Sequence, residues 1–128
     1  MRYLIILWLT CAALVSTSRA QFSEWKHSSS IWILTTPEGA DLPGTAAVKD
    51  FPVLVRLHHD FFAFSDAAED GTDIRFSSDG KPLAFEIEKW DVDNGTASIW
   101  VRIPEIVGNS RQEITIHWGN PDAESESR

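Results

Sequence analysis

Short runs with a period-two alternation of apolar and polar residues are the feature that most limits what this chain can fold into. Six such runs, rich in β-branched and aromatic residues, are Ser30 to Thr35, Phe51 to His58, Asp73 to Ser77, Leu83 to Trp90, Thr96 to Ile103 and Gln112 to Trp118. Clusters of Gly, Pro, Asn or Asp separate them, as turns between strands do. Successive strand side chains point to opposite faces, so a period of two buries one face of a sheet and leaves the other polar. No long window repeats apolar residues at helical spacing, and the best helical candidate, Asp60 to Ala68, has room for about two turns. The pattern predicts an all-β fold, an antiparallel β-sandwich with jelly-roll-like or Greek-key connections. Nothing recurs at a fixed period, which argues against a solenoid or propeller.

One hairpin can be read in register. Between Trp90 and Thr96 stands Asp91-Val92-Asp93-Asn94-Gly95, and a three-residue loop with Gly95 left-handed pairs Val92 with Thr96. Lys89 then faces Ile99, Ile87 faces Val101 and Phe85 faces Ile103. On the other face Glu88 meets Trp100 and Glu86 meets Arg102. A two-residue Asn-Gly loop mixes the faces and buries charge, so the three-residue loop is the expected one. Asn94-Gly95-Thr96 also matches a glycosylation acceptor, and here it reads as a turn. Phe51, Val53, Val55 and Leu57 are expected to point inward, as are Ile114, Ile116 and Trp118.

The first 20 residues read as a secretory signal peptide. Arg2 supplies a basic start, Leu4 to Val15 is apolar, and Ser18-Arg19-Ala20 forms a small-x-small cleavage site before Gln21. The apolar run, about 12 residues, is well short of the ~20 that span a bilayer, and no other segment reads as a membrane span. The expected destination is the medium, the periplasm or the cell surface. Removing the signal leaves 108 residues with 9 basic and 19 acidic side chains and no cysteine, since Cys11 lies in the signal. Such an acidic balance argues against nucleic-acid binding, which concentrates Lys and Arg on one face. Without cysteine there is no disulfide framework, thiol nucleophile or Cys-ligated zinc. Residues 21–120 are read as one sandwich domain and 121–128 as an acidic, Ser-rich tail or linker; oligomeric state is not legible.

The order of motifs is familiar: Phe51 to Leu57 (FPVLVRL), Gly71 to Phe76 (GTDIRF), Asp79-Gly80, Leu83 to Trp90 (LAFEIEKW), Ile99 to Pro104 (IWVRIP) and Ile116 to Pro121 (IHWGNP). From about Trp25 to the tail, the chain resembles the bacterial domain-of-unknown-function family two-three-four-one. The resemblance implies an exported β-sandwich domain, often beside a concanavalin A-like or laminin-G-like lectin module, or fused to an ExbB/TolQ/MotA-type proton channel. It carries over no catalytic residue or ligand. Trp118-Gly119-Asn120 replaces the family's usual Tyr-Gly-Asn and keeps an aromatic there.

Four groups of side chains invite chemistry. Asp66, Glu69, Asp70 and Asp73 form a dense acidic loop that offers oxygens to calcium, although the spacing fits no defined calcium motif and a solvated loop is the simpler reading. Asp73 alternatively pins the turn before its strand. Glu86 and Glu88 are paired carboxylates, the raw material of glycoside hydrolysis. They are neighbours on one flat face with no opposing wall, so a non-enzymatic protein is expected. His58 and His59, with the remote His27 and His117, suggest zinc, but adjacent strand residues point apart unless the strand has ended. Five tryptophans remain after the signal, and indoles on an exposed sheet stack on sugar rings. Trp90 and Trp100, beside Glu86 and Glu88, are the candidate ligand-binding residues. The alternative is that a second sheet or the N-terminal segment with Trp25 and Trp32 covers them. Two functions therefore compete: an envelope or surface module that binds a glycan or another envelope component, and a passive spacer in a larger envelope protein, including the exported part of an ExbB/TolQ-type transport assembly.

Overall fold

The alternating runs become strands. In the computed structural model, which describes residues 21–128, these are β1 (His27–Leu34), β2 (Ala47–His58), β3 (Arg75–Ser78), β4 (Lys81–Pro82), β5 (Phe85–Asp91), β6 (Thr96–Val107) and β7 (Arg111–Trp118). The signal segment read over 1–20 lies outside the described residues. Two antiparallel sheets form, one in the order β1-β7-β3-β4 and the other β2-β6-β5. The chain changes sheet between β1 and β2, β2 and β3, β4 and β5, and β6 and β7, so most sheet neighbours are remote in sequence. Two-residue β4 is absent from the sequence reading. The Asp60 to Ala68 stretch holds only a 3₁₀ turn, Phe64–Asp66, followed by a second at Glu69–Gly71. No helix among the described residues is long and apolar enough to cross a membrane.

The inner faces of the two sheets meet in one core. Phe76, Ile114 and Ile116 of the first sheet, with Ile74 just ahead of β3, pack against Val55, Leu57, Phe85, Ile99, Val101 and Ile103 of the second. Burying each such side chain contributes roughly 1.5–3 kcal/mol before the entropic cost of ordering it. Phe76 and Phe85 join the layers, their rings 5.5 Å apart. The inward phase expected of β2 holds for Val53, Val55 and Leu57, but Phe51 is 46 % exposed, because the first half of β2, Ala47 to Pro52, is exposed throughout. At that end Asp50 is left-handed (φ 51°) where β2 passes Pro104, and the burial of β6 changes phase.

The β5–β6 hairpin corrects the expected register. Phe85 pairs with Val101 and Ile87 with Ile99, two residues short of the expected partners, and a bulge follows at Glu88. The turn has four residues, Val92 to Gly95, between the Asp91–Thr96 pair. Asp91 closes it, accepting the Asn94 backbone N–H (3.0 Å) and side-chain amide (2.9 Å). These hydrogen bonds, the side-chain one first, hold the Asp91 carboxyl below the usual carboxylate range.

The acidic tail contacts the sandwich. The Arg128 N–H donates to Phe85 O (3.0 Å), the Ile87 N–H donates to Ser127 Oγ (2.7 Å), and Glu126 lies 3.4 Å from the Arg75 guanidinium. Ser127 and Arg128 thus lie along the free edge of β5, while Glu124 and Glu126 reach Arg75 of β3.

Candidate functional site

The outer face of the second sheet presents one indole at its centre. Trp100 is on the middle strand, β6, between Leu54 of β2 and Glu86 of β5, and is 37 % exposed. Glu86, Arg102, Pro52 and Arg128 border it in a shallow depression of about 310 Å³. The cross-strand partner of Trp100 is Glu86 rather than Glu88, and Arg102 pairs with Pro52 rather than Glu86. Glu88 is exposed at the bulge. An apolar ring flanked by a carboxylate and a guanidinium can stack on a flat apolar surface while hydrogen-bonding its polar edge.

Trp90 is not part of this face. The extra residue at Glu88 turns the end of β5 over, so Trp90 points inward and packs against the core. Its ring meets Phe64 at 5.2 Å and Phe62 at 6.1 Å. Gly71, at φ 69°, lies so close that a Cβ there would stand 2.7 Å from the indole. Trp25, raised as a cover for the outer face, sits elsewhere: its Nε1 donates to Asp73 O (2.6 Å) and its ring lies under the Arg75 guanidinium.

The acidic loop divides into two kinds of residue. Asp66, Glu69 and Asp70 are exposed on the 3₁₀ turns, whereas Asp73 is fully buried. Asp73 Oδ1 accepts the Ala68 N–H (3.0 Å), and Oδ2 accepts those of Gly119 (2.7 Å) and Asn120 (3.0 Å). The pin expected of Asp73 is thus long-range, tying its own loop to the end of β7. Two residues on, Arg75 is also buried, donating to Thr72 O, Ile74 O and Glu124 O. The Asp of the GTDIRF run is thus hydrogen-bonded to the Gly-Asn of IHWGNP, while its Arg reaches the tail at Glu124, and Trp25 touches both residues. Sequence reading missed Arg75, which looks like an ordinary polar position in an alternating run.

The histidines fall into two environments. His117 Nε2 is 2.7 Å from Ser77 Oγ and its ring stacks on Phe22, with burial pushing its pKa below 6.5. His27 stacks on Trp118. His58 and His59, expected to point apart, instead lie with ring centroids 4.1 Å apart, because β2 ends at His58 and His59 begins the turn. Both approach Asp60, and these three residues are the metal-capable group among the described residues; the four acids of the loop do not form one.

A larger apolar groove, about 490 Å³, runs between the edge strands β1 and β2, bordered by Trp32, Val53, Phe61, Phe62 and Trp118.

Fold and surface together define an all-β sandwich domain with a buried, hydrogen-bonded Asp73 and Arg75 beside its core. Residues 70–128 match the model of a family described as a domain of unknown function (DUF2341), the family that the motifs resemble. The matched segment holds Asp73, Arg75, β3 to β7 and Trp100; the FPVLVRL run precedes it. No curated protein and no solved structure matches the chain.

Proposed function

We propose that this chain is an exported, non-catalytic module of the cell envelope or surface that binds a glycan through the outer face of its three-stranded sheet. One observation carries the reading: Trp100 is open at the centre of a sheet, with Glu86 and Arg102 beside it. A pyranose presents a flat apolar face and a rim of hydroxyls, and this arrangement meets both. The export signal read over residues 1–20 and the lectin modules that accompany the resembled family support the same setting. Glu86 and Glu88 lie on one strand, separated by the bulge and facing no second wall, which favours binding over hydrolysis.

The test is binding to a glycan array and to isolated cell walls, comparing the chain with Trp100→Ala. Retention by a polysaccharide that the folded variant loses is expected. If no polysaccharide retains either protein, the spacer reading replaces this one. Secreted material should begin at Gln21, and its accumulation in the cytoplasm with residues 1–20 attached would refute export.

A further inference from the structure

We infer that His58, His59 and Asp60 form a binding site for a borderline divalent cation, with zinc the reference ion. The three residues are consecutive, which in an uninterrupted strand would scatter their side chains. Here the strand stops, and the turn closes on itself: the N–H groups of Phe61 (3.1 Å) and Phe62 (2.9 Å) both donate to His58 O. Phe62 is 4 % exposed and anchors the turn in the core. The turn of the β5–β6 hairpin fixes His59, whose N–H donates to Gly95 O (2.8 Å), and only a glycine fits at 95, since a Cβ would stand 2.7 Å from that of His59.

The result is a converging donor set. His58 Nδ1 is 3.2 Å from Asp60 Oδ2, and His59 Nδ1 is 3.3 Å from Asp60 Oδ1. Ligands on a tetrahedral zinc with bonds of 2.0–2.1 Å are about 3.3 Å from one another; each nitrogen meets that spacing to one oxygen of Asp60, and one donor atom from each of the three residues lies within 4.8 Å of the others. Nitrogen and carboxylate oxygen at such range hold a positive charge between them, either a proton or a metal ion. The backbone N–H of Asp60 also lies 3.2 Å from His58 Nδ1, so the turn itself holds that ring in place. Two imidazoles and one carboxylate suit zinc, copper or nickel; calcium takes six to eight oxygens, and this site offers one carboxylate. The side chains are 42 %, 61 % and 73 % exposed in sequence order, leaving the remaining coordination positions to water or to a partner's ligand.

The untagged chain, stripped of metal by a chelator, is titrated calorimetrically with zinc chloride and separately with calcium chloride. One zinc per chain is expected, with no calcium heat over the same range. His59→Ala and Asp60→Asn, each checked for fold by circular dichroism, should weaken zinc at least about tenfold. His27→Ala, on a histidine stacked against Trp118, should leave the affinity unchanged. Histidine ring nitrogen shifts by NMR give an independent readout, with both Nδ1 signals moving on zinc addition. Absence of submillimolar zinc binding, equal affinity in His59→Ala, or preference for calcium overturns the site.

Discussion

Replacing Asp73 should damage this protein more than replacing any other acid of its loop. The carboxylate is fully buried and accepts three backbone N–H groups, from Ala68, Gly119 and Asn120. In Asp73→Asn the side chain keeps one oxygen. Its better orientation retains the paired donors at 119 and 120 and turns an NH₂ toward the Ala68 N–H, so one bond is lost and two donors are opposed. Hydrogen bonds to a charged group contribute about 1.5–3 kcal/mol each, which gives a cost of about 3 kcal/mol. Asp73→Ala leaves all three donors without that acceptor and should cost about 5–9 kcal/mol, comparable to a whole stability of roughly 5–15 kcal/mol. Urea unfolding followed by tryptophan fluorescence measures both. Asp66→Asn, exposed in the same loop, serves as the comparison and should stay within about 0.5 kcal/mol of the parent. If Asp73→Asn also lies within about 1 kcal/mol of the parent, the three contacts are not what holds this loop to the end of β7.

Two further outcomes follow from backbone and burial. Gly95→Ala forces a Cβ onto a residue at φ 64° and to within 2.7 Å of His59 Cβ. A cost of about 2 kcal/mol is expected, seen as a melting point lower by roughly 10 °C; an unchanged melting point would show that the turn relaxes freely. Burial holds the pKa of His117 below 6.5, so just below that pH the unfolded chain takes up a proton that the folded chain does not. Its contribution to stability is therefore complete above about pH 6.5 and is lost as pH falls through the lower folded value. His117→Asn should flatten the pH dependence of urea unfolding in that window, and an unaltered slope would assign it to other groups.

The strands were legible because one face of each is buried, and alternation records that directly. Register was not, since sliding β5 by two residues along β6 leaves Phe85 and Ile87 facing inward and the pattern unchanged. The bulge at Glu88 depends on how a four-residue turn closes, and that single extra residue moved Trp90 from the outer face to the core while leaving Trp100 outside. His58 and His59 were set apart by a rule valid inside a strand, and the strand's last residue is where it lapses. Asp73 and Arg75 join segments more than 40 residues apart by polar contacts. Periodicity carries no trace of such contacts, and the same is true of the docked tail.

That tail bears on how copies of this protein avoid one another. A bare strand edge offers a row of N–H and C=O groups to the edge of any neighbouring sheet, the usual start of side-by-side aggregation. In the three-stranded sheet both edges are guarded differently. Pro52 and left-handed Asp50 interrupt β2, while Ser127 and Arg128 occupy the edge of β5 with backbone and serine hydrogen bonds. An acidic, serine-rich segment is suited to this task, since it satisfies the edge locally and repels a second molecule carrying the same charge.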